Sequence, residues 1–74
     1  MSAPLRLQLV QIAAVAGVGL VRVAWSRALS SYLVTVTRPG RGVVAEHQVD
    51  DRARALELAD CALTELAELA GMPA

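Results

Sequence analysis

Phenylalanine and lysine are absent from this chain, and cysteine and histidine occur once each, as Cys61 and His47. A lone cysteine excludes an internal disulfide, so no covalent staple supplements the core, and the usage suits a reducing, cytoplasmic setting better than a secreted scaffold. His47 and Cys61 lie far apart in sequence and give no zinc-site spacing, so neither a metal nor a cofactor is expected. Gly17-Val18-Gly19 lacks both the longer context and the lysine of a phosphate-cradling loop. Cys61 falls on the polar side of the last helix near Glu57 and Glu68, and a catalytic thiol is not expected there. No grouping points to an enzyme or to a small-molecule substrate.

A membrane-spanning run is also missing. Only 15 residues separate Arg6 from Arg22, two of them glutamines, whereas a spanning helix needs about 20 largely apolar residues. A small protein anchored in a membrane by residues 7–25 is therefore a minor alternative. A cleaved signal peptide is disfavoured, because a single basic residue precedes the run and Arg22 stands where a small-residue cleavage site belongs.

Acids are absent from Met1 to Gly42, a stretch with five arginines (Arg6, Arg22, Arg27, Arg38, Arg41), while all seven acids fall in Val43 to Ala74 beside Arg52 and Arg54. The net charge of zero is thus a cancellation of +5 against −5. Such asymmetry suits a nucleic-acid or membrane-surface contact on the basic half, and equally a pairing of like molecules.

What the chain has in excess is aliphatic surface. Hydrophobic residues make up 55% of its 74 positions, mean hydropathy is +0.48, and only Trp25 and Tyr32 are aromatic. A single domain this small hides such a load poorly, so the excess is expected to meet a partner, by default another copy of the chain.

The pattern is clearest at the C-terminal end. Asp50 or Asp51 can cap a helix over residues 51–70 that Gly71 and Pro73 would stop. At 100° per residue Leu56, Ala59, Leu63, Leu66, Ala67 and Ala70 share one side, flanked by Ala55, Leu58, Ala62 and Leu69. Arg54, Glu57, Asp60, Thr64, Glu65 and Glu68 take the other side and read as a solvated face. Ahead of the helix, Tyr32 to Arg38 and Val43 to Val49 are β-rich runs joined by Pro39-Gly40-Arg41-Gly42, with proline and glycine placed for a type II turn. The expected register sets Val36 against Ala45, Val34 against His47 and Tyr32 against Val49 on the inward face. Thr37 with Val44, Thr35 with Glu46 and Leu33 with Gln48 take the outward one. Ser26, Ser30 and Ser31 read as turn chemistry before the hairpin.

Residues 5–29 are expected to be helical and mostly buried, with Gln8, Gln11, Arg22 and Ser26 as a narrow polar strip. Gly17 and Gly19 favour a break, and the alternation of Leu5, Leu7 and Leu9, with Val21 and Val23, leaves a strand reading open. Ile12, Ala13, Ala16, Gly17, Val18 and Val23 resemble the helix-turn-helix spacing of bacterial regulators over the stretch Leu9 to Val23. That resemblance implies a winged-helix-like DNA binder, with Arg22, Arg27, Arg38 and Arg41 meeting phosphate. The would-be recognition positions Gly19, Leu20, Val21, Ala24 and Trp25 offer base edges almost no hydrogen bonds, so a protein partner is the leading expectation.

The sequence therefore predicts a small α+β domain in the order α-β-β-α, two helices covering a hairpin whose sheet continues across a homo-oligomer interface. Its function is expected to be interaction or assembly, as an accessory subunit or a small phage-like adaptor, through Leu58, Ala62, Leu66, Leu69 and Trp25.

Overall fold

The fold, a computed structural model, describes residues 7–71. Leu5 and Arg6, at the start of the expected apolar helix, and Pro73, expected beyond the last one, lie outside the described residues. Four antiparallel strands, β1 (Leu7–Val15), β2 (Gly19–Ser26), β3 (Ser31–Arg38) and β4 (Gly42–Val49), form a meander in the order β1-β2-β3-β4, followed by one helix, α1 (Arg52–Leu69). The α+β class holds, but the α-β-β-α order does not: residues expected to be the first helix form a second β-hairpin.

The reason lies in the side chains of that segment. Val10, Ile12, Val15, Val18, Val21 and Val23 are stiff at χ1 and fit a pleated surface better than a helix. Gly17 adopts φ +76° in a turn closed by the Val18 amide donating to the Val15 carbonyl at 2.9 Å. Strand alternation is hidden because both faces of β2 carry apolar side chains, Val21 and Val23 toward the helix and Leu20 and Ala24 away from it. The helix-turn-helix resemblance fails for the same reason, since Ala16-Gly17-Val18 makes a hairpin turn and Leu9 to Val23 contains no recognition helix.

The hairpin of residues 32–49 forms with the expected inward pairs Tyr32–Val49, Val34–His47 and Val36–Ala45. Near the turn the register differs: Thr37 faces Val43 and Arg38 faces Gly42, leaving Val44 as the extra residue of a bulge. The turn carries the expected bond, the Arg41 amide to the Arg38 carbonyl at 3.1 Å, with Gly40 at φ +75°. Ser26, Ser30 and Ser31 belong to the β2–β3 turn, where the Ser26 hydroxyl accepts from the Leu29 amide at 3.2 Å. Ser31 Oγ accepts from Gln48 Nε2 at 3.3 Å and lies 3.2 Å from Asp50 Oδ1, tying this turn to the chain entering α1.

Helix α1 begins as expected. Asp51 is its N-cap, the carboxylate accepting from the Ala53 amide at 3.3 Å, and Gly71 takes the left-handed conformation just beyond its end. Replacing Asp51 with alanine is expected to remove about 1 kcal/mol of stability, read as a lowered urea midpoint with an unchanged slope.

The core is thin. Val21, Val23, Val34 and Val36 of the two central strands meet Ala55, Ala59 and Leu66 of α1, with the Trp25–Tyr32 cross-strand pair, ring centroids 4.8 Å apart, at one end. Alanines on the buried helix face let α1 sit close over β2 and β3. Cα extents of 46 × 28 × 15 Å describe a slab of two layers, so the sheet face opposite the helix has no cover from this chain's described residues.

Candidate protein-interaction surfaces

Two surfaces carry more apolar side chain than their positions require. The first is the open sheet face. Strand parity and pairing place Leu9, Ala24, Leu33 and Gln48 in one cross-strand row there, and Ile12, Arg22, Thr35 and Glu46 in the next. The face is divided, apolar toward β1 and polar toward β4. Leu9 is 59% exposed and Ile12 52%, and with Leu7, Ala24 and Arg22 they line a shallow hollow of about 230 Å³. Strand β1, which carries Leu7, Leu9 and Ile12, is also a free edge among the described residues. Its nine residues, Leu-Gln-Leu-Val-Gln-Ile-Ala-Ala-Val, include no charge and no proline, although a bulge interrupts its pairing between Leu9 and Gln11. Edge strands in monomeric proteins are normally protected by charge, proline or a covering segment, because their unpaired N–H and C=O groups accept another strand.

The second surface is a groove of about 340 Å³ between the flank of α1 and the sheet at β4. It gathers Leu58, Ala62, Leu66 and Leu69, the four helix residues expected at an interface, together with Arg38 and Arg41. Their shares differ. Leu66 is buried in the core at 3% exposure, Leu58 and Ala62 are half-buried against it, and Leu69 is 62% exposed at the mouth. Trp25, expected alongside them, lies elsewhere, half-buried against Tyr32.

His47, Cys61 and Glu65, remote in sequence, also reach this groove, a juxtaposition that only the hairpin register and the helix path together could reveal. Among the described residues no three His, Cys, Asp or Glu side chains group so as to hold a metal ion. His47, expected inward by parity, does face the helix side but is exposed, because β4 is an edge strand and α1 lies over its neighbours. Cys61 is a free, exposed thiol. It should therefore react with a small disulfide reagent in the native protein at the rate seen in denaturant; severalfold protection would show the groove already covered.

The four arginines proposed for phosphate contact do not form one patch. Arg38 and Arg41 sit at the β3–β4 turn and Arg27 at the β2–β3 turn, the opposite end of strands that run roughly 25 Å, while Arg22 projects from the middle of the open face. Arg38 is held in place by donating from Nε to the Val18 carbonyl at 3.3 Å, linking the two turns at its end of the sheet. Glu57, Asp60, Glu65 and Glu68 are exposed along α1, and the Arg54–Glu57 pair at 3.5 Å is open to solvent and contributes little. No helix among the described residues is long and apolar enough to cross a membrane, and residues 7–25, the segment considered for an anchor, lie in β1, β2 and their turn.

No family model, curated protein or solved structure matches this chain.

Proposed function

We propose that this chain is a non-enzymatic, self-associating interaction module, an accessory or adaptor protein, whose copies join edge to edge through β1. The supporting observation is the combination on β1 of an uncharged free edge with the exposed side chains of Leu7, Leu9 and Ile12. Two antiparallel copies of β1 would extend the meander into one continuous sheet, using the regular stretch Gln11–Val15 beyond the bulge, and would set the Ile12 side chains of the two copies diagonally beside each other on the open face.

A face-to-face sandwich of open sheets would cover more area, but it would also enclose Arg22 from the middle of the face. Taking the Arg22 charge and the Glu46 charge of the same row out of water costs several kcal/mol even where opposite charges pair, comparable to what burying two exposed leucines returns. Edge pairing leaves Arg22 hydrated and gives the backbone groups of β1 their missing partners. The test is the mass of the purified chain by light scattering across a dilution series. A multiple of 7.8 kDa that dissociates on dilution is expected. A monomer at every concentration overturns the proposal.

A further inference from the structure

We infer that the groove between β4 and α1 is a docking site for the C-terminal end of another polypeptide, bound as an added strand. Three observations select this occupant. Among the described residues strand β4 is the second free edge of the sheet, and an extended peptide added beside it would take up its unpaired backbone groups and turn alternate side chains into the groove. Leu58, Ala62 and Leu69 lie on the flank of α1 that lines the groove, one and then two helix turns apart. They offer apolar contact to alternate side chains of a strand laid beside β4.

Charge then fixes direction. Strand β4 runs from Gly42, beside the β3–β4 turn, to Val49, so an antiparallel partner ends next to Arg38 and Arg41. Among the described residues lining the groove, the two arginines outnumber the one carboxylate, Glu65. A terminal carboxylate delivered there has a cation to pair with, and an N-terminal ammonium does not. Arg38, already bonded to the Val18 carbonyl, anchors the turn, and the exposed Arg41 side chain makes no hydrogen bond or ion pair among the described residues. This inference does not rest on β1 pairing, which uses the other edge of the sheet.

The experiment passes a synthetic pool of N-acetylated peptides of about six residues, a strand's length, randomised over Val, Leu, Thr and Ser, over the immobilised full chain. One half of the pool carries free C-termini and the other is amidated. The most retained sequences are then titrated into isotope-labelled protein. Retention is expected from the free-acid pool, with backbone amide shifts confined to 42–49 and 58–69 and slowed modification of Cys61. Arg41→Ala should weaken the acid about tenfold and leave the amide unchanged. Retention of neither pool, equal retention of both, or shifts centred on β1 would overturn the inference. So would β4 amides that shift on dilution of the protein alone, which would assign the groove to a second copy.

Discussion

Gly19→Ala is expected to destabilise the protein by roughly 1–3 kcal/mol, the usual cost of overpacking a close contact. A Cβ at this position would lie 2.9 Å from the Thr37 carbonyl oxygen and 2.9 Å from Leu66 Cδ2. Gly19 is not among the glycines with positive φ, so backbone strain plays no part and the effect is steric. Alanine also stiffens the unfolded chain, a gain of about 0.4–1 kcal/mol, which the clash outweighs. For a domain of this size, where net stability is a few kcal/mol, the urea midpoint should fall by about 1 M or more. The leucine tip can swing aside, but the Thr37 carbonyl belongs to the β2–β3 ladder and cannot. Adding Leu66→Ala should therefore deepen the loss, because it removes a buried side chain as well. Recovery in the double variant would show that the helix contact, not the carbonyl, is the obstacle.

The second large effect concerns assembly. Leu9→Lys combined with Ile12→Lys should convert the associated species to monomer while leaving the far-ultraviolet circular dichroism unchanged, since both side chains are more than half exposed. Burying an isoleucine is worth about 1.5–3 kcal/mol, and a symmetric pair loses Ile12 from both copies, which corresponds to roughly two to four orders of magnitude in the dissociation constant. Charge on an edge strand opposes pairing independently. Val43→Lys serves as the control: Val43 is as exposed as Leu9 but lies on β4, at the other edge, and its replacement should leave the mass unchanged. Equal dissociation by both variants would mean that general surface charge, not the β1 edge, governs association.

The two halves of the chain were unequally legible. Helix α1 announced itself because Asp51, Gly71 and a half-circumference of Leu and Ala agree on one element, and every polar position assigned outward is exposed. The β3–β4 pairing followed from Pro39-Gly40 and the alternation on either side, and failed only where the Val44 bulge, which leaves no mark in composition, shifts the register by one. The N-terminal hairpin was hidden by its own apolarity. Leu20 and Ala24 face away from α1 yet are as apolar as Val21 and Val23, which face it, so neither a period of two nor one of 3.6 stands out. That ambiguity touches the interaction surface, because Ala24 lines the hollow beside Leu7, Leu9 and Ile12 although it is itself only 3% exposed. The groove was half visible: Leu58, Ala62 and Leu69 stood out as surplus width on the helix, but their meeting with Arg38, Arg41 and His47 depends on the return path of α1.

In this meander every strand pairs only with its neighbours in the sequence, so no pairing waits for a distant segment and the sheet can zip up progressively as the chain leaves the ribosome. The element that covers Val21, Val23, Val34 and Val36 is nevertheless synthesised after all four strands. Until residues 52–69 emerge, the four valines lack the helix that covers them, and in this interval the newborn sheet is exposed to sticking to its neighbours.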